Sequence, residues 1–277
     1  MKLTLGFSPC PNDTFMMDAM IHHKIDTAEF EFNLIIEDVE ELNQKALQGD
    51  LDITKLSYHT FLHTNDKYRL LDAGSALGHG VGPLLIANEQ LKEEQILEGP
   101  VALPGEWTTA HWLFSLRYPS CNNKSFMIFS DVERAVKNGE VAAGVIIHEN
   151  RFTYGERGFT KLIDLGEYWE EQTSMLIPLG GIAIHKRIPE ILQRKINSIL
   201  KASIAYAFDN PESSHDFVSK YAQEMNPEVM QKHIDLYVNK YSLSLGVEGR
   251  KAVKALFEMS VTAGLIQSYD PNYSVSI

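Results

Sequence analysis

The sequence predicts an α/β protein in which strands alternate with helices and form two lobes. Between residues 2 and 57, stretches with the two-residue apolar period of a strand alternate with stretches of helical period. The segment 100–149 repeats this order. Such alternation is typical of βαβ units around a parallel sheet. Two apolar runs flanked by glycine, 82–89 and 178–186, are interpreted as crossover strands that act as a hinge.

The first element is a strand over residues 2–7, in which apolar side chains alternate with smaller or polar ones. The prolines of "SPCPNDTF", residues 8–15, stop this strand, and the polar residues 12–14 are good N-cap residues for the apolar helix that follows. We therefore predict a turn whose backbone N–H groups face open space. There these groups and the Thr14 hydroxyl can meet a polar ligand.

The elements that follow can be assigned from the same local signals. In the first region the sequence predicts a strand at 30–36, a helix opened by Asp38 and ended by Gly49, a strand at 51–56 and a short helix after Ser57. In the second it predicts a strand at 101–103, a helix from about Thr108, a strand at 126–129, a helix with a Ser130–Glu133 capping box and a further strand. From Pro189 onward the chain is predicted to be helical, with proline in the first turn after Asn210 and after Asn226.

Two segments of the sequence share a pattern. Residues 38–57 and 131–148 both begin with Asp-Val-Glu, carry a Gly-acid pair at the helix end and continue into an apolar strand. The likeness is too short to prove duplication, but it places Ser57 and His148 at equivalent strand ends. In open α/β sheets, ligands bind beyond the carboxyl ends of the strands. The candidate ligand-binding stretches are therefore 8–14, 55–57, 106–109 and 148–149.

Composition narrows the class of protein. A net charge of -12 over 277 residues, with no cluster of Lys or Arg, argues against nucleic-acid binding, and an anionic ligand would need specific donors. Met1 and Lys2 lead directly into a strand, and no apolar run of membrane-spanning length follows, so a cytoplasmic protein is expected. Cys10 and Cys121 are too few for a disulfide framework or a structural zinc site.

Several single features have a simpler structural interpretation. A histidine such as His148 at the end of an apolar strand is more often packed than catalytic. His59 and His63 have the spacing of a zinc pair, but no Glu stands beside His59, which favours a helix face over metal binding. "GHGVG", residues 78–82, precedes proline and a strand, which argues against a nucleotide loop. Cys10 is better explained as a small residue in a tight turn than as a reactive thiol.

Five stretches in order resemble the 1,4-dihydroxy-6-naphthoate synthase family of the futalosine route to menaquinone. They are "SPCPNDTF", "TKLS", "SALGHGVGP", "PGEWTTA" and "GVIIHENRFTY". The similarity runs from Gly6 to the C-terminal helices, and although no single motif is decisive, five in the expected order make coincidence improbable. The resemblance implies a two-lobed fold like a type II periplasmic binding protein, with residues 1–86 and 182–277 in lobe 1 and 87–181 in lobe 2.

The resemblance also implies an activity and a set of residues. The family converts cyclic dehypoxanthine futalosine to 1,4-dihydroxy-6-naphthoate without a metal or an organic cofactor. Its proton acceptor corresponds to His148 in "IIHE", and histidine suits this task because its ordinary pKa of about 6.5 leaves much of it neutral at pH 7. The substrate contacts implied by the family are Lys55, Leu56 and Ser57 in "TKLS", Thr108, Thr109 and Ala110 in "WTTA", and Asn43. Trp107 departs from the family pattern and is expected at the rim of the pocket.

Two other functions remain open at this stage. A solute-binding protein for a transporter would have the same fold, but no signal peptide or lipobox cysteine is seen. Chorismate dehydratase, a neighbouring enzyme on a related scaffold, is disfavoured by "SPCPNDTF" and "IIHE". The expected partner is a small anionic molecule bound in an interlobe cleft, with no nucleic acid and no membrane, and the expected assembly is a monomer or a homodimer.

Overall fold

Strands and helices alternate along the chain in the computed structural model, which describes residues 1–222 and 226–275. The strands are β1 (Lys2–Phe7), β2 (Glu31–Ile36), β3 (Ile53–Ser57), β4 (Tyr68–Leu70), β5 (Ala76–Gly78), β6 (Leu84–Ala87), β7 (Val101–Leu103), β8 (Lys124–Phe126), β9 (Ala143–Ile146), β10 (Thr160–Asp164) and β11 (Ile177–His185). The helices are α1 (Pro11–Ile21), α2 (Val39–Gln48), α3 (Tyr58–Thr64), α4 (Glu93–Glu98), α5 (Thr109–Arg117), α6 (Phe129–Lys137), α7 (Asn150–Thr153), α8 (Leu165–Thr173), α9 (Glu190–Asp209), α10 (His215–Tyr221), α11 (Pro227–Tyr237), α12 (Lys240–Leu243) and α13 (Gly246–Thr262).

The chain divides into two compact units. The first unit comprises Met1–Gly78 and Pro178–Ile277, and the second comprises His79–Ile177. Each unit contains its own sheet, with the strand order β2-β1-β3-β11-β4 in the first and β10-β6-β9-β7-β8 in the second; β5 pairs with β11 outside this path. The predicted mixed α/β class is therefore confirmed.

The sheets are mixed, whereas the alternation of strands and helices predicts parallel ones. β1 is parallel to β2 and β3, and β7 is parallel to β8 and β9. The two predicted crossover runs do form strands, but they pair antiparallel: β6 with β9 and β10, and β11 with β3 and β4. A continuous apolar run shows that a strand is buried on both faces, but it carries no information about the direction of its neighbours.

Apolar packing fixes each unit around its sheet. In the first unit α1 packs against α9, α10 and α11, and a core of side chains from these helices covers the strands. In the second unit a smaller core forms between the sheet and α6. Among the helices of the described residues, none is both long and apolar enough to span a bilayer.

The turn after β1 is tighter than the sequence predicts. α1 begins at Pro11 with Cys10 as its N-cap residue, so residues 12–14 lie in the first helical turn. Proline is well suited to the first helical position because it lacks the N–H group that would have no partner there. The backbone N–H groups of Asp13 and Thr14 both donate to the Cys10 carbonyl, at 3.0 and 3.1 Å. The prediction that these groups face open space is therefore wrong.

Other boundaries shift for equally local reasons. α6 begins at Phe129 with Ile128 as its N-cap residue, so Ser130 lies inside the helix and the predicted capping box does not form. The predicted strand at 126–129 is accordingly β8, which ends at Phe126. After Asn210 the chain forms a 3₁₀ helix rather than an α-helix. Asn226 does cap α11, because its side chain accepts from the Glu228 N–H.

Gly82 and Gly166 bring two segments of the second unit into backbone contact. A Cβ on Gly82 would lie 2.3 Å from both the Cα and the N of Gly166. One of the two backbone segments would have to move to relieve this clash, which is energetically costly. We expect Gly82→Ala to lower the free energy of unfolding by about 3 kcal/mol, measured by urea titration. Gly155→Ala is the matched control, because no atom lies within 4 Å of a Cβ there. An equal loss in both variants would contradict this explanation.

Candidate functional site

In the first unit, Asn43 and Ser57 form a paired contact at the end of β3. The Asn43 Oδ1 accepts from the Ser57 N–H at 2.9 Å, and its Nδ2 donates to the Ser57 hydroxyl at 3.1 Å. Asn43 is completely buried in α2, and its Nδ2 also lies 3.3 Å from Glu40 Oε2. Asn43 therefore orients Ser57, whose hydroxyl does not cap the following helix α3.

Lys55 and Leu56 belong to the same strand, β3, and point to different surroundings. Leu56 is fully buried, so its side chain contributes packing. The Lys55 ammonium donates to Asp13 Oδ1 in the first turn of α1. Because β1 and β3 are parallel, the turn after β1 and the end of β3 lie at the same edge of the sheet. The structure thus brings together Asn43, Lys55 and Ser57 with Asp13, which lies in the predicted ligand-binding stretch 8–14 but was not singled out there.

The Asp13 carboxylate is surrounded by donors from its own turn. Ser8 donates to Oδ2 from its N–H at 3.2 Å and from its hydroxyl at 2.7 Å, and Asn12 Nδ2 donates to Oδ1 at 2.8 Å. Asn12 Oδ1 in turn lies 2.9 Å from Nε2 of His233, a fully buried residue of α11. The sequence offered no partner pattern for His233, because its partner lies 221 positions away.

Thr14 is also completely buried in the first turn of α1. Its hydroxyl donates to the carbonyls of Cys10 and Pro11, at 3.1 and 3.2 Å. In this position the hydroxyl supports the start of the helix. The prediction that Thr14 contacts a ligand stays a prediction.

In the second unit, the turn after β7 presents the start of α5. Gly105 takes a φ of +113°, which favours glycine, and its carbonyl accepts from the Thr108 hydroxyl at 3.0 Å. Thr108 is the N-cap residue of α5, as predicted, and its hydroxyl also accepts from the His111 N–H at 3.2 Å. Thr109 and Ala110 form the first turn, where the backbone N–H groups of an α-helix lack partners within the helix.

His111 is held in a single neutral tautomer beside this turn. Its Nδ1 lies 2.6 Å from the Glu106 carbonyl and its Nε2 lies 3.3 Å from the Lys124 ammonium. A carbonyl only accepts and an ammonium only donates, so Nδ1 carries the hydrogen and Nε2 accepts. Burial lowers the pKa of His111, against a hydrogen bond to Glu106 that raises it, and the charge of Lys124 lowers it further. Burial also lowers the pKa of Lys124.

This environment predicts a pH dependence of stability. Since the pKa of His111 is lower in the folded than in the unfolded protein, the unfolded chain binds more protons below about pH 6.5. The free energy of unfolding should therefore fall as the pH falls from about 6.5 through the folded-state pKa of His111. We expect His111→Gln to reduce this decline in urea titrations between pH 5 and 8. An undiminished decline in His111→Gln would contradict the assignment.

His148 follows β9 in an unusual backbone conformation. It has a φ of +58°, in the left-handed region that non-glycine residues seldom adopt, and strain of this kind is frequent at functional sites. The residue as a whole is partly exposed, but Nε2 is shielded from solvent, and the ring packs edge to face on Phe129, with 4.8 Å between ring centroids. The sequence identifies His148 through its motif, but Phe129 was assigned to a strand and not to the site.

Arg151 anchors the segment that follows His148. Its Nη2 lies 2.9 Å from Asp164 Oδ2, and its Nη1 donates to the Gly82 carbonyl. Asp164 also caps α8, through the N–H groups of Gly166 and Glu167. This network fixes the backbone close to His148.

The predicted residues of the second unit share one edge of its sheet. β7, β8 and β9 are parallel, so the turn before α5, the start of α6 and the segment of His148 all follow carboxyl ends. Thr108 and Thr109 lie after β7, Phe129 after β8 and His148 after β9. That edge is where ligands bind in sheets of this kind.

Known proteins resemble this chain over nearly its whole length. Residues 3–262 match the model of a family described as menaquinone biosynthesis. A relative from Thermus thermophilus, named 1,4-dihydroxy-6-naphtoate synthase, is 43% identical over 264 residues, which is 95% of this chain and 95% of that one. A Streptomyces coelicolor relative with the same name is 36% identical over 275 residues, 98% of this chain and 96% of that one.

A solved structure gives independent support for the fold. A Candida albicans gene product described as having the generic periplasmic binding protein fold matches with a TM-score of 0.65 and 12% identity. The match covers 99% of this chain and 93% of that one. At this identity the likeness concerns the fold alone, and it agrees with the predicted binding-protein architecture.

Proposed function

The chain belongs to the menaquinone biosynthesis family, and from this premise we propose that it is a 1,4-dihydroxy-6-naphthoate synthase. In this proposal it acts as a lyase that converts cyclic dehypoxanthine futalosine to 1,4-dihydroxy-6-naphthoate. The observation that carries the proposal is the 43% identity to a relative of that name over 95% of both chains. The relation spans nearly the whole of both chains, which supports the same activity.

His148 is proposed as the general base. A base must be accessible, must have a neutral form at working pH and must be held in place. His148 is partly exposed as a residue at the carboxyl edge of its sheet, and Phe129 and the anchored Arg151 segment restrict the movement of the imidazole. In the proposed reaction His148 takes a proton from carbon or hydroxyl of the substrate, and formation of the aromatic naphthoate makes the sequence of steps favourable.

Polar groups at strand ends and helix starts are proposed to hold the substrate. In the first unit Lys55 supplies a positive charge and Ser57 a hydroxyl oriented by Asn43. In the second unit the start of α5 supplies Thr108 and Thr109, and a helix start favours negative charge. These groups suit a carboxylate ligand in a protein with a net charge of -12.

The test is incubation of the purified protein with cyclic dehypoxanthine futalosine, followed by detection of the naphthoate chromophore. No metal or cofactor is added, because the family resemblance implies none. Thermal stabilisation by the compound without turnover would support a solute-binding protein instead, and dehydration of chorismate would support the neighbouring enzyme. Either result overturns the proposal.

We place the reaction in the cytoplasm. The two cysteines, Cys10 and Cys121, form no disulfide and are both buried, which suits a reducing compartment. The named relatives are biosynthetic enzymes, and this supports the same assignment. A monomer or a homodimer, to be distinguished by light scattering, remains the expected assembly.

A further inference from the structure

Asp13 and Lys55 of the first unit form a deeply buried ion pair, and a contribution to stability does not explain its burial. The side chain of Lys55 is 8% exposed and that of Asp13 is 0% exposed. Removing two charges from water is costly, and replacing such a pair by apolar residues is often neutral or stabilising. A charge pair at this position is therefore better explained by a use for the charge than by a contribution to folding.

Asp13 is fixed independently of any ligand. Its Oδ2 accepts from the Ser8 N–H and hydroxyl, and its Oδ1 accepts from Asn12 Nδ2 as well as from Lys55. Lys55 is bound differently, since an ammonium has three N–H donors and Asp13 accepts from one of them. The carboxylate thus provides a rigid support, and the ammonium retains further donors.

The orientation of Asn12 extends this support to α11. Because Asn12 Nδ2 donates to Asp13, the other end of the Asn12 amide, Oδ1, faces His233. An amide oxygen can only accept a hydrogen bond. His233 therefore donates from Nε2, across 2.9 Å. The result is a directed chain of hydrogen bonds from α11 through the turn after β1 to the carboxylate that holds Lys55.

Gly180 of β11 defines the path of the Lys55 side chain. A Cβ on Gly180 would lie 3.2 Å from Lys55 Cε and 2.8 Å from the Leu56 carbonyl oxygen. Glycine leaves the space that the aliphatic part of Lys55 occupies beside the antiparallel partner strand. Gly180 therefore leaves room for the aliphatic part of Lys55, and Asp13 holds the ammonium at its end.

We propose that Asp13 is a positioning residue, which holds the Lys55 ammonium where it binds the carboxylate of the naphthoate. Asp13 acts through Lys55, and Asn12 and His233 fix Asp13 in turn. The inference rests on the proposed function, because it takes Lys55 as a contact of a carboxylate-bearing ligand. It gives Asp13, for which the sequence indicated only an N-cap role within a candidate ligand-binding stretch, a specific role in that function.

The test compares the binding of two compounds under anaerobic conditions. 1,4-Dihydroxy-6-naphthoate carries the carboxylate, and 1,4-dihydroxynaphthalene lacks it. We expect the unmodified protein to prefer the naphthoate by about 10-fold or more in Kd, as a charge-assisted hydrogen bond implies. Asp13→Asn should reduce this preference at least about 5-fold while the Kd for 1,4-dihydroxynaphthalene stays unchanged. An unaltered preference in Asp13→Asn overturns the inference.

A double-mutant cycle isolates the route through Lys55. Lys55→Met should reduce the preference at least as much as Asp13→Asn does, and adding Asp13→Asn to Lys55→Met should change it no further, because Asp13 then has no ammonium to hold. A further loss in the double variant would show that Asp13 acts by another route and would overturn the inference. If Asp13→Asn does not fold, Ser8→Ala serves instead, since it removes the hydroxyl that donates to Asp13 Oδ2 at 2.7 Å without removing a charge and should reduce the same preference.

Asp72→Asn is the matched control for a purely structural effect. Asp72 is a carboxylate of the same unit, 2% exposed, that pairs with Arg250 at 2.5 Å. We expect it to lower stability as Asp13→Asn does and to leave the ligand preference unchanged. An equal loss of preference in both variants overturns the inference. If the unmodified protein neither binds the naphthoate nor turns over the substrate, the proposed function itself is refuted.

Discussion

His148→Asn lowers kcat by about 100-fold or more while leaving the folded structure intact, if the imidazole is the general base. Asparagine tolerates the left-handed backbone that His148 adopts, with its φ of +58°, and can form hydrogen bonds. It has no group that takes up a proton at neutral pH. The measurement is the steady-state rate of naphthoate formation, with circular dichroism to confirm the fold.

His23→Asn is the matched control for this substitution. His23 also has a left-handed backbone, with a φ of +53°, and it is exposed in the first unit, away from the predicted residues. The same chemical change at the same backbone conformation should leave kcat unaltered. A value of kcat in His148→Asn above about a tenth of the unmodified rate would exclude general base catalysis by this residue.

Trp169→Ala lowers the free energy of unfolding of the second unit by about 4 kcal/mol. Trp169 is fully buried in α8, and its ring centroid lies 5.6 Å from that of Trp112 in α5. Its indole N–H donates to the Leu176 carbonyl at 2.9 Å. The truncation removes a large packed ring from the contact between α5 and α8 and leaves a polar atom without that donor. Because α5 begins at Thr109, the stability of the proposed binding turn depends on this contact.

Urea unfolding followed by tryptophan fluorescence tests this prediction. Residues 107, 112 and 169 are the three tryptophans of the chain and all lie in the second unit, so the signal reports that unit. Trp169→Phe keeps a ring but loses the indole donor, and we expect it to cost about half as much. Trp107→Phe, at a position that is only partly buried, should cost little. A loss below about 1 kcal/mol in Trp169→Ala would contradict the role of this packing.

Local signals in the sequence predicted the elements that depend on neighbouring residues. Asp38 caps α2 and Gly49 ends it in the left-handed conformation, as their residue types indicate. Thr108 likewise caps α5. The prediction failed at Ser130, where a capping-box pattern would start the helix at Asp131 but the helix begins two residues earlier, at the buried Phe129. The helix thereby includes Phe129, whose ring packs against His148.

The candidate site residues also form two groups: those that local sequence signals identify and those whose contacts lie far away in the sequence. His148, Ser57 and Thr108 could be found from motifs at strand ends and from the family resemblance. The contacts of Asp13 and His233 could not be predicted, since their partners lie 42 and 221 positions away. Their importance depends on burial, which no local pattern shows.

The amino-acid sequence by itself determined the family and those elements that carry clear caps, turns or apolar periods, because such signals act over one or two helical turns. The tertiary structure alone decided the direction of β6 and β11 and the partners of the buried charges. The physical reason is that a charge removed from water must find its counterpart wherever the fold places one.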